Sequence, residues 1–327
     1  MRQRRIKVPP EEGEAAYHCM SRTVNGEWLF EPVDREVLRK QLWQVADYCG
    51  LQVLTYTILS NHFHVLVRVP QKHVPSDDEL LRRYERMYPK PTRYQTARLD
   101  VIKQQLQAGG PEAEFWRERQ LKLMGDVSAY MKLVKQRFSI WFNRSHRRYG
   151  TLWSERFKSV LVESGRALQA TSAYIDLNCV RARLVDDPKD YRFCGYAEAV
   201  AGDKAAQNGL GVVMENPNWK ETQAIYRQVL FATAAEAKER GASLSAEALA
   251  EVMKAEGRLP LATVLRCRVR YFSDGAVLGS RAFVERQLAV YCARTGRREQ
   301  AAPHPLPKIT DWGDISTLRG LRKAVFG

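Results

Sequence analysis

The 327-residue chain has no Cys-x-x-Cys pair, and its six cysteines (Cys19, Cys49, Cys179, Cys194, Cys267, Cys292) are scattered along its length. That spacing argues against a zinc ribbon and against a disulfide framework, so reduced core cysteines are expected. There is no apolar run approaching the roughly 18 residues that suggest a membrane span. The N-terminus is basic (Arg2, Arg4, Arg5, Lys7) with no apolar stretch behind it, so no signal peptide is read and a cytoplasmic, nucleoid-associated protein is expected. Acidic residues are also in short supply, 37 Asp and Glu against 52 Lys and Arg, for a formal charge of +15. An excess of that size favours a polyanionic partner, with nucleic acid the first candidate and an anionic membrane surface the second.

The stretch that organises the chain is Asn61-His62-Phe63-His64-Val65-Leu66-Val67-Arg68-Val69. In a strand alternate side chains share a face, so Phe63, Val65, Val67 and Val69 form an apolar face and His62, His64, Leu66 and Arg68 the other. Two imidazoles then project together, ~6.6 Å apart along the strand. Such a pair is a metal clamp if a third ligand joins it and an ordinary pair of surface or core histidines if none does.

Around it the periodicity predicts a first strand over 14–22, a helix from an Asp34 N-cap to Gly50, and a strand over 51–59 joined to the histidine strand by the Ser60-Asn61 turn. Residues 71–125 read as a polar helical insertion, opened by the capping box at Ser76 to Glu79 and broken at Pro89, Pro91 and Gly109-Gly110. It is either a DNA-contacting arm or a solvated excursion. A long amphipathic helix starts at Val127 and carries Lys132, Lys135, Arg137 and Arg144. The densest basic and aromatic stretch follows, with Arg144, Arg147, Arg148, Trp153, Arg156 and Lys158. Basic side chains neutralise phosphates and aromatic faces stack on unpaired bases, so these residues, Lys135 and Arg68 are the candidate DNA contacts.

A strand over 157–163 leads to Ser164, a plausible cap, and a helix over about 166–182. There the i, i+4 pair Tyr174 and Asn178 shares a face. Should that helix pack on the histidine face, two imidazoles and an amide oxygen would leave coordination positions open for a phosphate oxygen. Tyr174 would then be the nucleophile, its phenolate favoured by a nearby metal or cation. Asp176 lies on another side of the helix and receives no role. His18 and His146 are read as structural or DNA-facing.

Over about residues 15–196 the sequence resembles the HUH single-tyrosine transposases, in particular the REP-associated tyrosine transposases of bacteria. The resemblance rests on His62-Phe63-His64, on Tyr174-Ile175-Asp176-Leu177-Asn178 followed by Val180-Arg181-Ala182, and on Gly150-Thr151-Leu152-Trp153 with Arg156-Phe157-Lys158. It implies an α+β fold with a ferredoxin-like antiparallel sheet, and Mg²⁺ or Mn²⁺ held by His62, His64 and Asn178. It also implies cleavage of single-stranded DNA at hairpin-forming repeats, leaving a 5′-phosphotyrosine on Tyr174 and a free 3′-hydroxyl. Members of that family act as monomers or as homodimers. Two positions depart from the family pattern, Cys179 in place of proline and Arg183 in place of glycine. They leave room for a domesticated hairpin-binding protein without turnover as the alternative.

The division expected is a catalytic domain over 1–205, a helical accessory domain over 206–293 that is a candidate for DNA binding, and a basic tail over 294–327. The last third is read with a linker over 208–219, helices over 219–241 and 245–256 and one opening at Ser280, and basic residues Arg266, Arg268 and Arg270.

Overall fold

In the computed structural model, which describes residues 5–9, 12–71, 74–90, 98–231, 261–266, 269–296, 302–307 and 310–319, the alternating stretches become strands β1 (Ala15–Arg22), β2 (Gln52–Ile58), β3 (His62–Val69) and β4 (Lys158–Val162). Their order in the sheet is β2-β3-β1-β4, all antiparallel. The β2–β3 hairpin turns at Ser60-Asn61 as expected, closed by Leu59 N donating to His62 O at 2.8 Å.

Helix α1 (Pro32–Cys49) connects β1 to β2. It begins two residues before the expected cap: Glu31 is the N-cap, Pro32 opens the helix, and Asp34 sits at N3, accepting from Glu31 N at 2.9 Å. The reciprocal capping box fits Asp34 better than the cap position does. Gly50 ends the helix with φ +67, a left-handed turn that glycine adopts without steric cost. Helices α2 (Asp77–Met87), α3 (Leu99–Ala108) and α4 (Pro111–Leu121) build the insertion. They enclose a small core of their own, made by Leu80, Ile102, Leu106, Ala113 and Trp116, and Gln44 of α1 donates to Arg86 O at 2.7 Å.

Helix α5 (Val127–Ser145) returns the chain to β4 and covers the apolar face of β3 together with α1. Phe138, Phe30, Phe63 and Trp153 pack ring against ring there. The opposite face, the one bearing His62 and His64, is covered by α6 (Arg166–Asp176), whose N-cap is Gly165 rather than Ser164. The helix expected to run on to residue 182 breaks at Leu177 and resumes as the single turn α7 (Asn178–Arg181).

Helices α8 (Gly195–Val200), α9 (Lys204–Val213) and α10 (Trp219–Phe231) follow. The stretch expected to be a linker is therefore largely helix, and α9 lies close enough to β2 that a Cβ on Gly209 would sit 2.6 Å from Leu54 O. Nor is the last third only helical. β5 (Val277–Ser280) joins β4 in parallel, and β6 (His304–Pro305) and β7 (Ile315–Thr317) extend the same sheet to seven strands. A single-turn helix, Tyr271–Asp274, precedes β5, and the helix opened by Ser280 runs Arg281–Thr295. The helix expected over 245–256 and Arg268 lie outside the described residues. Among the described residues no helix is long and apolar enough to cross a membrane. Among the described residues are five free cysteines, of which Cys19, Cys49, Cys179 and Cys194 are buried, and Cys267 lies outside them.

Arg183 stands where a glycine was expected and keeps the glycine geometry, with φ +57 after α7 and Leu184 N donating to Cys179 O at 3.0 Å. A side chain with a Cβ in that conformation is strained. Arg183→Gly is therefore expected to stabilise the protein by roughly 0.5–1 kcal/mol, the relief of strain being partly offset by a freer unfolded chain. Denaturant midpoints of the two proteins check this.

Candidate active site

The site is built on three neighbouring rows of the sheet. Lys158, Met20, His64 and Thr57 lie opposite one another across β4, β1, β3 and β2. In the next row Arg22 faces His62, and in the row on the other side His18 faces Leu66. All point to the face under α6. Both expected imidazoles are buried, with ring centroids 5.2 Å apart.

Each ring is held by its Nδ1. His62 Nδ1 lies 2.6 Å from Asn61 Oδ1, and His64 Nδ1 lies 2.8 Å from His18 Nε2. His18, only 1% exposed, reaches the carbonyl oxygen of Phe272 with its Nδ1 at 2.6 Å. Burial pushes the pKa of His18 down to about 4. Burial also holds His64 well below the usual imidazole range, aided by the neighbouring His18, His62, Arg181 and Arg22. The His18 and His64 rings are thus neutral near pH 7, the form in which an imidazole can ligate a metal.

Helix α6 is placed by Asp176, which is fully buried. Its carboxylate accepts from Thr55 Oγ1 at 2.6 Å, from Tyr226 OH at 2.6 Å and from Cys194 Sγ at 3.2 Å, and Tyr196 N lies 3.4 Å away. One residue earlier, Ile175 O accepts from Thr57 Oγ1 at 2.7 Å. Close approach is required here, since a Cβ on Gly195 would collide with Thr55 Oγ1.

So fixed, the helix delivers Tyr174 and Asn178 to the histidines. The Tyr174 ring lies 6.2 Å from that of His64, stacks on Phe272 at 4.7 Å, and has the Arg181 guanidinium 4.0 Å from its centroid. Asn178 Nδ2 is 3.4 Å from His62 Nε2.

These four residues line one cleft of about 400 Å³, with Arg22, Arg156, Lys158, Arg270 and Asp274 at its sides. Of the expected DNA contacts, only Arg156 and Lys158 reach it. Lys158 is 3.2 Å from Asp274. Arg68, although on the histidine face, pairs with Glu14 at 3.1 Å in a different cleft. The expectation that Trp153 stacks on bases is corrected: it is 8% exposed, wedged among core rings, and donates to Ser139 Oγ at 2.8 Å. Lys135 lies beneath it, donating to Glu155 O at 2.7 Å, with its pKa lowered to about 8 by burial. Arg144 and Arg147 are exposed, and Arg148 lies 3.9 Å from Glu27; none of the three lines the cleft.

Sequence reasoning missed Arg22, Phe272, Arg270, the placing of His18 and the role of Asp176. The strand register would have found Arg22, since it pairs with His62. Its Nε has no hydrogen-bond partner among the described residues.

No group of three or more His, Cys, Asp or Glu side chains among the described residues is arranged to hold a metal. A metal here would rest on two imidazole nitrogens and one amide oxygen, a set that suits a divalent ion keeping open positions for water or phosphate. The side chains fit that role: both Nδ1 atoms are engaged, and His62 Nε2 and the Asn178 amide already meet.

No family model matches the chain, and no curated protein matches it. Among solved structures it is similar to one of a REP-associated tyrosine transposase bound to a REP hairpin, with a TM-score of 0.36 and 13% identity, over 62% of this chain and 86% of that one.

The Asp176 pKa is raised to about 6, because burial outweighs the donors that favour the charged form. The folded state then holds this proton more tightly than the unfolded chain does. Its stabilising contribution is complete below pH ~4 and is lost as pH rises through ~6. Relative to Asp176→Asn, which does not titrate, the wild type is expected to lose on the order of 3 kcal/mol between pH 4 and pH 7. Denaturant unfolding of both proteins across that range tests it.

Proposed function

We propose that the chain is a metal-dependent single-stranded DNA nickase and strand transferase of the HUH single-tyrosine type, with hairpin-forming repeats as substrate. The observation that carries this reading is the convergence of Tyr174, His62, His64 and Asn178 of one chain on a single cleft. The two pairs come from distant parts of the chain, His62 and Asn178 being 116 residues apart, and binding DNA alone would not require that chemical set. The ordered motifs of the resembled family support it. So does the succession β1-α1-β2-β3-α5-β4 with strand order β2-β3-β1-β4, which is compatible with a ferredoxin-like core.

A Mg²⁺ or Mn²⁺ ion held by His62, His64 and Asn178 would supply Lewis acidity at a phosphate oxygen. Arg22, Arg156 and Lys158 draw the backbone phosphates to the cleft. The phenol oxygen of Tyr174 attacks phosphorus as the bond to the 3′-oxygen breaks, and the phenolic proton leaves by way of solvent to the departing 3′-oxygen. Arg181 over the ring favours the charge that develops on the phenolate. The phosphotyrosine conserves the bond, so a second 3′-hydroxyl can reverse the step and join strands without ATP.

The test is a labelled single strand carrying a repeat hairpin, incubated with protein and Mg²⁺ or Mn²⁺ and resolved on a denaturing gel. A metal-dependent covalent adduct is expected with the wild type and none with Tyr174→Phe or His64→Ala. Tight hairpin binding without an adduct under either metal would make the protein a domesticated binder. Cleavage that persists in Tyr174→Phe would make it a phosphoesterase with no covalent step.

A further inference from the structure

His18 stands outside the proposed ligand set, yet it is the most buried histidine of the site and makes two short contacts, 2.6 Å to Phe272 O and 2.8 Å to His64 Nδ1. A carbonyl oxygen can only accept, so His18 Nδ1 carries a proton. The ring is sealed from solvent and its two nitrogens meet Phe272 O and His64, with no carboxylate to balance a second proton, so His18 Nε2 carries none and must itself accept. The proton between the two rings therefore belongs to His64 Nδ1. His64 Nε2 is left with its lone pair, the nitrogen able to ligate.

We propose that His18 is a positioning residue that locks His64 in its Nδ1–H tautomer, with the Phe272 carbonyl as the fixed end of the relay. This deepens the proposed function and rests on its assignment of His64 as a metal ligand. The relay has a consequence for the molecule's organisation. Its anchor is backbone in the C-terminal region, 254 residues from His18, so that region sets the chemistry of a ligand on β3. The Phe272 side chain serves separately, stacking on Tyr174 at 4.7 Å. Carbonyl and ring thus divide two tasks within one residue.

Two measurements on the full-length protein decide this. In metal-free protein labelled with ¹⁵N-histidine, long-range proton–nitrogen spectra report which nitrogen of His64 is protonated. The inference requires Nδ1–H in the wild type and is overturned by Nε2–H. Calorimetric Mn²⁺ titrations then compare variants whose fold is checked by circular dichroism. His18→Phe, which can neither accept nor donate, is expected to weaken Mn²⁺ binding about 10–100-fold, as loss of an outer partner of a ligand does.

His18→Gln, whose amide can accept from His64 and donate to Phe272 O, is expected to restore affinity to within about three-fold of the wild type, near 0.7 kcal/mol. Phe272→Ala keeps the carbonyl and should leave Mn²⁺ affinity intact while lowering adduct formation. Wild-type affinity in a folded His18→Phe overturns the inference. Should His18→Phe fail to fold, the wild-type spectrum and His18→Gln still decide. A wild type with the Nδ1–H tautomer that binds no Mn²⁺ upholds the relay and sinks the metal-dependent function instead.

Discussion

A buried carboxylate two residues beyond the tyrosine sets the geometry of the site. Asp176 takes hydrogen bonds from β2 and from α10, and it meets the start of α8. A helix lying across a sheet can slide or rotate by a residue at modest cost if only apolar surface is involved. Here a shift of one residue turns the carboxylate by about 100°. Thr55 and Tyr226 would lose their acceptor inside the core, where each unmade bond costs roughly 1–3 kcal/mol. Tyr174 faces the histidines because Asp176 has only one place to be.

The other half of the constraint comes from the end of the chain. β5 extends the sheet beside β4, and that pairing brings the turn Tyr271–Asp274 against the same face as the histidines. Phe272 then meets Tyr174 with its ring and His18 with its carbonyl. Asp274 pairs with both Lys158 and Arg270 at 3.2 Å. These two cations are held in fixed positions at the cleft edge, which lowers the cost of ordering them when a phosphate arrives. The face that carries the candidate site is thus a joint product of the first 200 residues and the last 60, and a boundary near 205 does not separate them in space.

Much of this was legible in the sequence. Period-two alternation gave the histidine strand and its hairpin, and i, i+4 spacing gave Tyr174 and Asn178 one face, although the helix breaks between them. What escaped had physical causes. Alternation states which face a side chain occupies but not how far along the strand it lies, so Arg68 shared a face with His62 while standing roughly 20 Å away. Trp153 sat in a basic stretch that looked solvated, but an indole buries more area than its neighbours repel, and its N–H found Ser139. β5 is four residues with a glycine, too short to carry a period. His18 and Arg22 acquire partners only once β1 and β3 are in register.

The charges around the site serve two ends with one field. If the cleft takes a polyanion, as proposed, imidazoles beside it would ordinarily gain protons, since phosphates stabilise the cation. Burial opposes that, and Arg181 and Arg22 oppose it further by lying close to His64. Of the two, Arg22 also lines the cleft in which a backbone phosphate is proposed to sit. Carboxylates at these strand positions would pair with the arginines and cancel the field, whereas neutral nitrogens leave it intact. A basic cleft and a nitrogen-rich donor set are therefore mutually consistent: Arg22, at the side of the cleft, is also among the charges that add to burial in keeping His64 neutral.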